Sequence, residues 1–223
     1  MRHLLLILGF ITIISSCKNK IVITEQIKSR LKNEISNIMI LDQKYRWQIM
    51  YGEVNEIKLD SLKRLPDSIR YAIFAKNFTK DYGLTKKQSD SIWILQNKLD
   101  SLNEIRLSQI IDSFGWPSAK VIGSDDADVL PLHFSKGFKN KYYQILLQTA
   151  KDKDISPDIV AQMYDRLMID LHKQQVYGSF EDKDSITGNI LPPMIDDINL
   201  TNKLRHEIGL DSLKDYRLTK NKK

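Results

Sequence analysis

From Ile27 onward the apolar residues return at intervals of three and four: Ile27, Leu31, Ile35, Ile38 and Met39, then Leu41, Tyr45 and Ile49. That spacing draws one stripe along a helix of 3.6 residues per turn, and it does not fit the two-residue alternation of a half-buried strand. It predicts one long helix over about 24–51. The same rhythm predicts a second long helix over 86–113, whose stripe is Ile92, Leu95, Leu99, Leu102 and Ile105. Thr85-Lys86-Lys87-Gln88 has the form of a capping box at its start, and Gly115 stops it. Further helices are expected over 141–151 and from Pro157 to about Lys173, the latter opened by Ser156-Pro157-Asp158. Shorter ones are expected within 53–84, from Asp125-Asp126 to Ser135, and near 200–207 and 211–216. The pattern changes only late. Gln175 to Phe180 alternates, Ile186 to Leu191 does so more loosely, and Pro192-Pro193 follows, which reads as a small hairpin. An isolated hairpin is marginal in water, so this one must pack on the helices. The expected fold is mainly α: a multi-helix single domain over 25–216 with one small late β-hairpin packed on the helices.

The first residues are set apart from that domain. Arg2 precedes an apolar run from Leu4 to Ile14, which is shorter than the roughly 20 residues a spanning helix needs. The run ends in Ile14-Ser15-Ser16-Cys17, which resembles a bacterial lipobox. The resemblance implies a lipoprotein signal peptide over 1–16, cleavage before Cys17, lipid on its thiol and acylation of its new amine. Residues 17–24 then form a lipid-anchored tether. Cys17 is the only cysteine in the chain, so no disulfide, thiolate metal site or thiol nucleophile is left and a packed core must supply the stability.

Roughly 205 residues follow the cleavage site, enough for one sizeable domain. The net charge is +6, from 34 basic and 28 acidic residues, and removing residues 1–16 takes away only Arg2. The bases are scattered among acids, as in Lys151-Asp152-Lys153-Asp154, and no aromatic-plus-basic face of the nucleic-acid-binding kind is present. Residues 217–223 form a one-sign basic cluster, expected as a solvated, disordered tail.

Several residues stand out chemically. In Ser113-Phe114-Gly115-Trp116-Pro117 a large aromatic sits between two breakers of structure. Pro117 fixes its own φ and drives Trp116 toward an extended backbone, which makes Trp116 either a corner plugged into the core or the wall of a pocket. His133 lies in an otherwise apolar segment, and an imidazole there suits acid-base work as well as a structural role. Asp42 and Arg46, four apart, share a helix face, and Asp165-Arg166 is a second acid-base pair. A guanidinium held by a carboxylate can bind an anion, or the pair can simply lock helices together. Gln175 and Tyr177 fall on one side of their expected strand beside Gly178 and could rim a cleft. Asp125-Asp126-Ala127-Asp128 lacks the glycine and closing glutamate of a calcium loop, and His133, His172 and His206 are too dispersed for a zinc site, so no metal or cofactor is expected.

Five stretches in order resemble the bacterial family called domain of unknown function 6624. They are Asp42-Gln43-x-x-Arg46; Gly115-Trp116-Pro117 with Gly123; Asp165-Arg166; Gln175-x-Tyr177-Gly178-Ser179; and Leu204-Arg205 with Gly209-Leu210, Leu213 and Tyr216. The resemblance covers about residues 35–216. It implies positions but no reaction. Two departures stand out: Ser179 replaces the family's usual threonine, and Leu132-His133 replaces its Gln-His.

The expected function is that of an envelope lipoprotein, a binding or structural module held to the membrane by its N-terminal lipid. Lys18, after the lipidated cysteine, resembles a signal for the outer membrane, with the domain facing the periplasm. The ligand, small molecule or protein, is left open. The alternative is a hydrolase-like enzyme using His133 with Asp42 or Asp165 in a pocket walled by Trp116 and Tyr177.

Overall fold

The computed structural model describes residues 23–51, 56–66, 68–70, 72, 84–184 and 186–218. The expected signal peptide, Cys17, the tether up to residue 22, the tail beyond 218 and much of the 53–84 segment lie outside them. The described chain is mainly helical, with four short strands late in it. Its elements are α1 (Glu25–Gln43), α2 (Arg46–Tyr51), α3 (Glu56–Lys63), α4 (Lys86–Phe114), α5 (Ala119–Ile122), a 3-10 turn η1 (Leu130–Leu132), α6 (Lys136–Lys151), α7 (Pro157–Asp170), β1 (Asp182–Lys183), β2 (Ile190–Leu191), β3 (Met194–Ile195), α8 (Ile198–Glu207) and β4 (Arg217–Leu218).

The expected long first helix is two helices. Gln96 of α4 splits it. In an unbroken helix the Asp42 carbonyl would accept from the Arg46 amide, and the Tyr45 amide would donate to Leu41. Instead the Gln96 amide group donates to Asp42 O at 2.8 Å, and its Oε1 accepts from Tyr45 N at 3.0 Å. Both orphaned backbone groups are thereby paired, as burial demands.

The same contact overturns the stripe expected on α4. The face that meets α1 and α2 carries Gln96, Asp100, Asn103, Leu107 and Ile110, all buried. Leu95, Leu102 and Ile105 of the expected stripe are exposed. Buried polar side chains are tolerated where partners await them. Gln96 finds the helix break, Asp100 finds Arg46, and Asn103 donates to Ile38 O at 3.2 Å.

The capping box at Thr85 is present, and Gly115 closes α4 with φ 81° and its N–H on Ile111 O. Pro117 then centres a three-residue turn, with Ser118 N donating to Trp116 O at 2.9 Å. The core runs from Leu31, Ile35 and Ile38 of α1 through Leu107 and Ile110 of α4 to Phe138, Tyr142 and Leu146 of α6 and Met163 of α7. α6 packs along α7, where the Tyr143 and Tyr164 rings stack at 3.8 Å.

Four further expectations are corrected. Ser124 to Leu132 forms turns and the 3-10 turn, with no helix capped by Asp125-Asp126. The hairpin is β1–β2, antiparallel with Asp182 opposite Leu191, and Gln175–Phe180 is a loop. Residues 211–216 form no helix, because Asp211 O and Leu213 N are taken by the Arg205 and Asn202 side chains of α8. Arg217 and Leu218 leave the expected tail to pair in parallel with Met194 and Ile195.

Candidate functional site

Asp42 sits at the last turn of α1, wholly buried, where Gln96 interrupts the helix. Its carboxylate collects Gln43 Nε2 at 2.6 Å, Arg46 at 3.3 and 3.4 Å, and His133 Nδ1 at 3.0 Å from both oxygens. Burial alone would raise its pKa, but His133 and then Arg46 hold it below the ordinary value of 3.8. Arg46 reaches across to Asp100 at 2.7 Å, and burial pushes that second carboxyl upward. An ionised Asp42 only accepts, so His133 donates to it through Nδ1. His133 follows η1 directly, and its side chain is 28% exposed. Of the two carboxylates expected as partners for His133, the structure brings Asp42, 91 residues away in the chain, within hydrogen-bond distance.

Asp165 has a different task. It lies wholly buried on α7 and accepts Val176 N at 2.7 Å, Tyr177 N at 2.9 Å and Ser179 N at 2.8 Å. Burial raises its pKa, against the pull of those three donors. The 175–180 loop is wrapped around this one carboxylate, and of its N–H groups only that of Gln175 bridges to a strand, donating to Met194 O at 3.3 Å. Gln175 closes the loop by accepting Phe180 N at 2.8 Å and donating to Phe180 O at 2.7 Å. Tyr177 is enclosed, its hydroxyl 2.7 Å from that of Tyr143. Gly178, at φ 66°, has Leu213 Cδ2 only 2.7 Å from where a Cβ would stand. Arg166 does not pair with its neighbour: it lies over the Phe180 ring and lines, with Gln175, a cavity of about 420 Å³.

Trp116 is 5% exposed and belongs to the core. It does not wall a pocket around His133 with Tyr177, since both rings are enclosed. Its indole Nε1 instead stands 3.4 Å from Asp128 Oδ1. Two residues on, Ser118 Oγ donates to Asp154 at 2.6 Å. The Gly-Trp-Pro corner thus holds two carboxylates that sequence reasoning did not single out, and both line a cavity of about 680 Å³. Its floor includes Ala150, Ile155 and Ile208, all from the core. Burial, with Asp125 and Asp154 nearby, pushes the Asp128 carboxyl up to about 6.

The C-terminus of α6 shapes the same cavity. Lys153 N donates to Ala150 O and Asp154 N to Thr149 O, the paired bonds of a Schellman motif. Lys153 takes the left-handed position, φ 56°, where glycine is usual and an L side chain costs about 1 kcal/mol. Among the described residues no group of His, Cys, Asp and Glu could hold a metal ion.

Three of the five stretches that carried the family resemblance interlock. Asp165 holds 176–179, Leu213 abuts Gly178, and Arg205 Nη1 donates to Tyr177 O at 2.7 Å. Comparison with family models, curated proteins and solved structures gives no match for this chain.

Proposed function

We propose that the protein is an envelope lipoprotein, anchored through Cys17 to the outer membrane and facing the periplasm, whose helical domain binds a small molecule. The carrying observation is the cavity of about 680 Å³ at the Gly-Trp-Pro corner, within the 300–1,000 Å³ usual for ligand sites, with an apolar floor and a few polar groups. The lipobox supports the anchor. The contacts among three of the five stretches support reading those three as one unit, as the family resemblance implies. Two experiments test this reading. Cys17→Ser should release the protein from membranes or leave it uncleaved, because two acyl signals on one residue are what make such anchoring stable; unchanged fractionation and mass would refute the anchor. A fragment screen followed by crosslinking should place ligands at Asp128 and Ile208, and a screen with no hit there removes the binding module.

The dyad favours a second reading, a hydrolase in which His133 Nε2 acts as general base, oriented by Asp42. His133 lines neither cavity described above. Turnover of a chromogenic ester that disappears in His133→Asn, with folding intact, would favour this reading over the first.

A further inference from the structure

We infer that the corner cavity takes a small zwitterion, an α-amino acid or short peptide with an apolar side chain, its ammonium on Asp128 and its carboxylate on Lys153; this rests on the binding reading above.

The floor of the cavity sets the apolar part. Ala150, Ile155 and Ile208 are buried core residues that also line the cavity, so its base is apolar. The charged lining is mostly engaged already. Lys120 donates to Asp152 O at 2.8 Å, Lys151 lies 3.6 Å from Glu207, and Asp154 accepts from Ser118 and from Lys120 N. Two charges of opposite sign remain weakly answered. Asp128 has a single long bond, 3.4 Å, from Trp116. Lys153, an exposed residue, takes part in none of the ion pairs among the described residues and so is held by water alone. It also occupies a strained left-handed position that a glycine would fill more easily, so a lysine there is not explained by the turn.

A ligand with one positive group would leave Lys153 unmatched, and one with only a negative group would leave Asp128 desolvated without a cation. A zwitterion answers both and places its side chain on the apolar floor. Such a cavity has room for more than one residue, which admits a short peptide as well as a free amino acid.

Calorimetric titration of the full chain in detergent tests this with four probes: leucine, dileucine, N-acetyl-leucine and leucinamide. Leucine or dileucine should bind. Acetylation, which removes the ammonium, should weaken binding at least tenfold, and so should amidation, which removes the carboxylate. Asp128→Asn and Lys153→Ala should each lower the affinity for the zwitterion at least tenfold with an unchanged circular dichroism spectrum. Equal binding of the acetylated probe, or unaltered affinity in both variants, overturns the assignment. If fragments of another charge class bind the cavity and neither leucine nor dileucine does, the zwitterion is wrong while the binding module stands. If nothing binds the cavity, both fall.

Discussion

At the scale of single residues, the tryptophan between Gly115 and Pro117 is the most informative. Residue type and breakers alone left Trp116 with two roles, and the structure assigns it the core. Truncating a buried tryptophan removes its transfer free energy and leaves a cavity, so Trp116→Ala should cost about 3–5 kcal/mol. Trp116→Phe should recover part of that, losing the indole bond to Asp128 and some volume. Denaturant unfolding of both variants checks this; an alanine variant with wild-type stability would mean that the ring is not packed as described. His133 was legible as a candidate because a polar type in an apolar segment stands out, and Asp42 because it stands four residues before Arg46. Asp128 and Asp154 were not, because they lie in charge-rich stretches that read as solvated surface, and only folding turns them toward one cavity.

At the scale of elements, the loop around Asp165 shows how one side chain can reassign a segment. Alternation over Gln175–Phe180 suggested a strand, but three of its amides point at a single carboxylate. Asp165→Ala would strand those amides, each worth roughly 1–3 kcal/mol when buried without a partner. The variant should lose at least about 3 kcal/mol, with amide-exchange protection falling first at Val176, Tyr177 and Ser179. Asp165→Asn, which keeps one acceptor oxygen, should be milder. If protection at those three amides survives in the alanine variant, the cradle is not what orders the loop. The division of the first helix has the same cause in another place: Gln96 supplies the hydrogen bonds that the helix gives up at Asp42 and Tyr45.

For the whole molecule, the buried carboxylates set how stability varies with pH. Asp128, pushed up to about 6 from an ordinary 3.8, binds its proton more tightly in the folded state. Its contribution is full below about pH 4 and is lost as pH rises to about 6. Asp100 and Asp165, also raised, act in the same direction. Asp42 is lowered, so its contribution is full above about pH 4 and is lost as pH falls further. Thermal stability should therefore peak in mild acid, near pH 4–5, and decline toward neutrality. Asp128→Asn should flatten that decline between pH 4 and 6 and raise the melting temperature at pH 7. An identical pH profile in the variant would show that Asp128 is not the group responsible.

What the amino-acid order determined by itself is local. The helical class, the capping box at Thr85, the stop at Gly115 and the late switch to strands each depend on neighbours within a few residues, and backbone sterics and side-chain spacing decide them without help. Tertiary structure decided which face of α4 is buried, where the first helix breaks, and which carboxylates meet which donors. Hydrophobicity pointed to Leu95, Leu102 and Ile105 as the inner face of α4, yet Gln96, Asp100 and Asn103 lie inside. The free energy of burying a polar side chain depends on the partners it finds, and here those partners, Asp42 O, Arg46 and Ile38 O, lie more than fifty residues away in the chain.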